Sequence, residues 1–389
     1  MEVKEQPIQV YLIFALFVFF GILFLPVCLK AVELTDKVSI SGDLTLVNQW
    51  LDKSKGDVPN KDRGSAVIDL NLSIRPTSKD ELFGRISFAE GSGFHSPRSR
   101  YPFILSSNAD NLYIDLRDIN GHSRDYLLEV WYSRMFEPKK DGPSFKLTGG
   151  ILDSPRFIDD NRYANDEIGQ FMNETFVNNP VANLPSSDWG LAMELEWKSY
   201  SFKLVGMRSK NENEEMDRKK FNWFGMQLGY KLDIGIGEGN YRVYAYTTDK
   251  KFENWRADAY KALRGFGVSF DQEIIRETLG AFVRAGWQDD SARVDYTRMF
   301  SLGLNLSGIL WGRKKDEIGL GYAYLKSPTK HEDLKKTHVL EGYIKFQLAT
   351  YRFINSDLTL DYQYIKDKAR EIKETRAGHI YGARLNISF

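Results

Sequence analysis

The chain has 389 residues with equal numbers of cationic and anionic side chains, 27% charged residues and a mean hydropathy of −0.41. This composition is too polar for a bundle of transmembrane helices. The balanced charge also gives no general attraction to nucleic acid, so we expect no nucleic-acid partner.

One apolar segment, residues 10–27, stands at the start of the chain. Its length lies between that of a signal-peptide core and that of a short transmembrane helix. Lys4 precedes it and Ala31 offers a cleavage position, so we predict an N-terminal signal helix within a signal peptide over residues 1–31. Cleavage would remove Cys28, the single cysteine. The alternative is an uncleaved inner-membrane anchor.

After residue 31, apolar and polar residues mostly alternate, with a period of two. Ile68 and Leu70 alternate with Asp69 and Asn71, as in a strand that is wet on one side. Segments with this pattern are residues 38–51, 65–75, 82–90, 126–136, 145–152, 189–197, 201–207, 221–231, 241–248, 264–270, 278–288, 297–307, 318–325, 338–348, 358–365 and 378–389. Short connectors alternate with longer, charged ones, which is the layout of an outer-membrane barrel. We predict an all-β fold, a transmembrane antiparallel β-barrel of 16 strands over residues 32–389, with 18 strands as the alternative.

Two connectors are longer than the rest: residues 92–124, the first inward loop, and residues 153–186, the second inward loop. Loops of this length are usually functional. Residues 111–119 resemble a strand, but an odd strand count would place the second inward loop at the short-turn rim. We therefore predict a helix there, capped by Asn108, and expect both loops to fold inward with short helices.

The two faces of the strands are predicted to meet different solvents. Trp189, Leu191 and Trp197 belong to an apolar stripe with tryptophan at both ends, typical of a face in contact with membrane lipid. The opposite faces are hydrophilic. A cylinder of 16 strands is too wide for side chains to fill, so the polar face should line water. The strand that ends at Phe389 is similar to the carboxyl-terminal signature of bacterial outer-membrane proteins, which implies recognition by the barrel assembly machinery.

A dense motif spans the second inward loop and the strand residues beside it. Its residues are Gly149, Gly150, Ile151, Leu152, Asp153, Asp160, Asn161, Tyr163, Ala164, Asn165, Asp166, Glu167, Gln170, Phe171, Met172, Asn173, Phe176, Val177, Asn178, Asn179, Pro180, Pro185 and Gly190. This motif resembles the OprB family of carbohydrate-selective outer-membrane porins. The resemblance implies a location in the bacterial outer membrane and an arginine-bearing sugar path, without indicating which arginines form it.

Candidate pore residues come from the loop and from the wall. Loop carboxylates and amides that could bind sugar hydroxyls are Asp159, Asp160, Asn161, Asn165, Asp166, Glu167 and Asn173. Wall residues at lumen-facing positions are Arg75, Arg85, Glu129, Trp131, Glu194, Arg284 and Arg384. The alternative for the loop residues is that they cap helices and form turns. The alternative for the wall charges is that they pair across strands or hold the loops.

These features predict a porin for passive diffusion of small hydrophilic solutes, above all carbohydrates, through a channel that the loops constrict. A porin for anions or organic acids, an outer-membrane enzyme and an adhesin are the alternatives. The five histidines lack metal-ligand spacing, so we expect no metal, no cofactor, no catalytic residue and no enzyme. Porins of this size are often homotrimers, and the sequence leaves the oligomeric state open.

Overall fold

A computed structural model describes residues 32–95, 101–137, 142–210, 220–351, 354–370 and 374–389. The predicted signal peptide lies outside the described residues. No helix within the described ranges has the length and apolar composition needed to cross a membrane.

Within the described residues, sixteen long strands form one antiparallel sheet, and we number them in chain order. They are β1 (Val38–Lys55), β2 (Lys61–Thr77), β3 (Asp80–Glu90), β4 (Leu127–Phe136), β5 (Ser144–Leu152), β6 (Asp188–Trp197), β7 (Tyr200–Lys210), β8 (Lys220–Asp233), β9 (Glu238–Thr248), β10 (Arg264–Ile275), β11 (Leu279–Gln288), β12 (Arg298–Ser307), β13 (Glu317–Lys326), β14 (Leu334–Tyr351), β15 (Ile354–Ala369) and β16 (Arg376–Ser388). A short strand, Val32–Thr35, pairs with the start of β1, and Phe252–Glu253 pairs with Tyr260–Lys261 in a separate two-stranded ribbon.

The sheet closes on itself. Each strand pairs with its neighbours along the chain, and β16 pairs with β1 in a register that sets Ser388 opposite Asp43. Beyond that register, the backbone N–H of Phe389 donates to the carbonyl of Gly42 at 3.0 Å, and the reciprocal bond is 3.1 Å. The Phe389 ring covers Gly42, where an added Cβ would lie 2.7 Å from the ring. The prediction of a closed 16-strand barrel is confirmed.

The connections differ in length at the two rims. Residues 78–79 and 198–199 are short turns, whereas the two inward loops join β3 to β4 and β5 to β6. Because antiparallel strands alternate in direction, both inward loops belong to one rim, and β1 begins and β16 ends at the other. We call these the long-connection rim and the short-turn rim.

The outside of the barrel is apolar. Trp189 and Leu191 are each 61% exposed, and Leu304 and Leu360 also point outward. The predicted lipid-facing stripe is therefore confirmed. The inward positions between them are mostly polar, and many, such as Glu341, are buried rather than wet. The loops cover them.

Short helices occur in both loops. The described helices are the 3₁₀ turns Gly93–His95, Ile119–Gly121, Ser154–Arg156, Pro180–Ala182 and Gly308–Trp311, and one α-helix, α1 (Glu174–Val177). The side chain of Asn173 caps α1 by accepting from the backbone N–H of Thr175, which satisfies an otherwise unpaired donor of the first turn.

The helix predicted over residues 111–119 is wrong in its extent. One helical hydrogen bond forms, from the N–H of Leu116 to the carbonyl of Leu112, and Asn108 donates its amide to Ser65 instead of capping a helix. Asp118 and Asn120 take left-handed backbone conformations with φ of 56° and 51°, which a continuous right-handed helix does not accept. The segment is not a strand either, so the strand count stands.

Apolar side chains between the loops and the wall form two buried clusters. One contains Phe171 and Phe176 of the second inward loop packed against Phe282 of β11 and Tyr343 of β14. The other surrounds Trp223 of β8. The expectation that the whole inner face lines water is thus wrong for these parts of the wall, because the loops fill the adjacent lumen.

Candidate functional site

The second inward loop crosses the lumen and is anchored at its far side by Arg284 of β11. This guanidinium is fully buried. It donates to the carbonyl of Phe176 at 2.6 Å, to the carbonyl of Asp159 at 2.9 Å and to Oδ1 of Asn165 at 3.1 Å. Its Nε lies 3.3 Å from Oδ2 of Asp159. One wall arginine thus holds three separate points of the loop.

Asp159 is fully buried beside this arginine. Burial raises the pKa of its carboxyl to about 6, while the Arg284 charge and the N–H of Asn179 oppose the rise. Asp159 is therefore mostly ionised at neutral pH, and its charge is compensated inside the protein. It does not border open space.

A second set of anchors lies on β14 and β16. Glu341 accepts from the backbone N–H of Met172 at 2.6 Å and from that of Asn173 at 3.1 Å. Arg384 donates to the carbonyls of Glu167 at 2.6 Å and Gln170 at 2.8 Å. Four hydrogen bonds from two wall side chains thus hold the loop backbone here.

The remaining loop candidates divide by exposure. Asp160 lies 3.1 Å from Arg242, and the Asn161 amide donates to Ser269 at 3.1 Å, so both contact the wall. Asp166 is exposed and accepts from the backbone N–H groups of the next turn. Burial raises the pKa of the neighbouring Glu167 carboxyl to about 7. Of this group, Asp166 is the most exposed.

The first inward loop is hydrogen-bonded both to the wall and to the second inward loop. Ser107 exchanges hydrogen bonds with Gln49 of β1, and its carbonyl accepts from Gln363 of β15 at 2.8 Å. The N–H of Ala109 donates to the carbonyl of Met172 at 2.8 Å, which links the two loops directly. Space remains between the second inward loop and strands β2 to β6.

That space is a cleft of about 310 Å³ between the start of the second inward loop and strands β2 to β6. Its lining residues are Arg75, Glu81, Phe83, Trp131, Lys146, Thr148, Arg156, Phe157 and Glu194. Both ionic and aromatic side chains therefore border it.

An ionic and aromatic arrangement borders the cleft: Phe83, Trp131 and Arg156 line it, and the buried carboxylate of Glu129 lies behind them. Arg156 lies 3.1 Å from Glu129, and Arg85 approaches the same carboxylate at 3.5 Å. The Arg156 guanidinium also lies 5.4 Å from the ring centroids of Phe83 and Trp131, which stack at 4.9 Å. Donors, an acceptor and a flat apolar surface thus lie within one short stretch of the channel.

A glycine permits this arrangement. Gly150 of β5 lies opposite Trp131 with φ of +145°, a conformation that L side chains rarely adopt. An added Cβ would lie 2.7 Å from the Trp131 Cα. Any side chain at this position would displace the tryptophan.

The structure brings together some predicted site residues and separates others. Arg75, Arg85, Glu129, Trp131 and Glu194 lie at or beside the cleft. Four others are fully buried: the wall residues Arg284 and Arg384 hold the loop, as their alternative described, Asn173 caps α1, and Asp159 pairs with Arg284.

Sequence reasoning missed Phe83, Lys146 and Arg156. Phe83 and Lys146 share the inward phase of their strands with Arg85 and Thr148, so a systematic list of inward positions would have included them. Arg156 lies in an irregular segment and carries no periodic signal. Among the described residues, no group of three or more His, Cys, Asp and Glu side chains is arranged to hold a metal ion.

Comparison with known proteins agrees with this architecture. An uncharacterised protein of Aquifex aeolicus (strain VF5) is 32% identical over 334 residues, which cover 84% of this chain and 90% of that protein. The high-pH structure of Pseudomonas putida OprB superposes with a TM-score of 0.69 at 15% identity, over 92% of this chain and 95% of that one. The outer membrane channel DcaP of Acinetobacter baumannii gives a TM-score of 0.53 at 12% identity, over 90% and 97%. At these identities both structures show a shared fold.

The family model described as carbohydrate-selective porin, OprB family, matches residues 115–389. The matched region contains thirteen of the sixteen strands and the second inward loop. The chain therefore belongs to the OprB family of carbohydrate-selective porins, as the motif in the second inward loop predicted, and is a channel of the bacterial outer membrane.

Proposed function

We propose that the cleft between the second inward loop and β2 to β6 is the selective path of this porin, and that it passes small neutral sugars down their gradient. No chemical step is involved. Solutes would exchange water hydrogen bonds for those of Arg85 and Arg156, which the buried Glu129 holds in place, while the ring of Phe83 supports the apolar face of the sugar.

The observation that supports neutral solutes is the pairing of charge along the cleft. Arg75 lies 3.0 Å from Glu81, and Lys146 lies 3.6 Å from Glu194. Glu129 compensates both Arg85 and Arg156. Four cations thus face three carboxylates, and each cation has an acidic neighbour. A path with little net charge favours neither anions nor cations, but it offers many donors and acceptors to a hydroxylated solute.

Blockage of ion current by sugar in planar bilayers tests the proposal. We expect glucose to reduce the current through the wild-type channel, and we expect Phe83→Ala and Arg156→Gln each to weaken this block several-fold. Phe224→Ala is the matched control, because that ring is 56% exposed on the outer face. Unchanged block in both cleft variants would contradict the proposed path, and block by citrate but not by glucose would favour the rival reading as a porin for anions or organic acids.

Export and assembly are proposed on the sequence features alone. We propose that residues 1–31 are removed as a signal peptide, which N-terminal mass spectrometry of the purified barrel would test by finding Val32 as the first residue. We also propose that the strand ending at Phe389 is recognised by the barrel assembly machinery. Deletion of Phe389 should then reduce the amount of folded barrel in the outer membrane. A homotrimer is proposed from the size class, and native mass spectrometry tests it.

A further inference from the structure

Four cations lie side by side on the outer face of strands β12 to β15. Arg298 is paired in register with Lys326, Lys326 with Lys336, and Lys336 with Lys368. Their neighbours along each strand point inward and are buried: Met299, Leu325, Thr337 and Asp367. The four cations, here called the basic row, therefore point away from the lumen.

This arrangement is unfavourable by itself. Like charges directly opposite each other on neighbouring strands repel and destabilise the sheet. Within the described residues, none of the four has an ion-pair partner, and the ammonium group of Lys336 instead lies 5.4 Å from the ring centroid of Tyr324. Asp367, the nearest acidic position on β15, faces inward and bonds to Thr337. The repulsion is not relieved by these parts of the protein.

The basic row occupies a defined level relative to the membrane. Two residues further into the bilayer, Tyr324 is paired with His338, and Lys366 lies opposite His338. The next outward residue on β13 towards the bilayer centre is Tyr322, whose hydroxyl lies 2.8 Å from Nδ1 of His338. Leu320 follows it and is 53% exposed. Apolar, aromatic and cationic side chains thus follow one another, as they do across a membrane–water interface.

The charge at this rim differs around the barrel: outward cations also occur on β7, β8 and β10, at Arg208, Lys220 and Arg264, but not on β1 to β3. At the same rim, the outward positions of β1, β2 and β3 carry the carboxylates Asp52, Asp62 and Glu90. A general attraction of the rim for anions does not explain why the sign of the charge differs around the barrel. A partner that contacts the barrel from the side, at the level of the lipid head groups, explains this difference.

We propose that the basic row binds the phosphate groups of a phosphorylated glycolipid in the membrane leaflet at the long-connection rim. Clustered lysine and arginine side chains at a membrane surface attract anionic lipids. Phosphate oxygens between neighbouring cations would turn their mutual repulsion into shared attraction. The bound molecule is a lipid, because the row lies directly above an apolar and aromatic surface that its acyl chains would cover. The proposal is independent of the solute that the channel passes.

Binding of lipid A, a bisphosphorylated glycolipid, to the purified full-length barrel in uncharged detergent tests the proposal by native mass spectrometry. We expect K326Q/K336Q to bind lipid A roughly 30-fold more weakly than wild type, from the usual contribution of each cation near an anionic surface. The matched control is K250Q/K251Q, which removes two exposed cations from the same rim, outside the barrel strands. Equal affinity of K326Q/K336Q and wild type would overturn the proposal. Displacement of lipid A by millimolar inorganic phosphate would overturn the commitment to a lipid.

Thermal unfolding separates binding from a merely structural role. Without lipid, K326Q/K336Q should unfold at the same temperature as wild type or higher, because it removes repulsion. With lipid A, wild type should gain stability and the variant should not. A variant that is less stable without lipid, or that gains as much as wild type with lipid A, would contradict the inference. Dephosphorylated lipid A should stabilise neither protein.

Discussion

Replacement of Arg284 with methionine should release the second inward loop from the wall. The change leaves Asp159 buried without its counter-charge and removes hydrogen bonds to the carbonyls of Phe176 and Asp159. Breaking a buried, hydrogen-bonded ion pair costs about 3–5 kcal/mol. The ratio of released to docked loop should then rise roughly a hundred- to several-thousand-fold, since about 1.4 kcal/mol is a factor of ten.

Single-channel recording in planar bilayers measures this effect. A loop that leaves the wall part of the time widens the lumen intermittently, so we expect a larger mean conductance, more open-channel noise and weaker glucose block. Arg276→Met is the matched control, because that arginine pairs with Asp233 at the short-turn rim with both side chains more than half exposed, where such pairs contribute little.

The double variant D159N/R284M removes the unpaired charge and should recover part of the wild-type behaviour. Wild-type conductance, noise and sugar block in a folded R284M barrel would refute the reasoning, because the buried pair would then contribute nothing to the loop position. Recovery that is absent in the double variant would show that the hydrogen bonds, and not the charge, hold the loop.

Three further predictions concern the same loops. Burial raises the pKa of Glu174 from 4.5 to about 7, so between these values the docked loop holds a proton that the released loop has lost. Docking should therefore be strongest below about pH 4.5 and weaken as the pH rises through 7. Open-channel noise should rise with pH in wild type and change less in Glu174→Gln. Noise that rises on acidification would contradict the sign. Glu341→Ala should unprotect the amide of Met172 in hydrogen exchange while barrel amides keep their protection, and unchanged protection would contradict the anchor. Gly150→Ala should prevent folding, which gel electrophoresis would show as loss of the heat-modifiable band of folded barrel. Gly149→Ala should fold, because an added Cβ there meets Leu191 only at 3.4 Å. Equal behaviour of the two variants would contradict the role of the positive φ of Gly150.

The strands could be predicted because the bilayer imposes one rule on every outward position. Trp189, Leu191 and Leu304 all meet the same apolar solvent, so alternation alone locates the strands and their faces. Strand ends were less certain: β14 and β15 extend several residues beyond the predicted segments, because hydrogen bonding to a neighbouring strand continues where the alternation fades.

The site was predictable only in part. Glu129 and Trp131 followed from the inward phase of β4, but the anchoring of Asp159 by Arg284 joins residues far apart in sequence, and no local pattern indicates such a contact. The missing Arg156 stands in a segment without periodicity. The predicted helix over residues 111–119 failed because local propensity did not indicate the left-handed conformation of Asp118 within the segment.

The seam between β16 and β1 has a consequence for biogenesis. Positions 43 and 388 are direct partners, so no partial chain that lacks either end strand can complete the cylinder. Until β1 and β16 pair, the incomplete sheet has two edges whose unpaired N–H and C=O groups can bind other chains. Joining distant positions is also slow, because the entropy of ordering the intervening chain opposes it. Closure of the barrel therefore waits until the last strand has been translated.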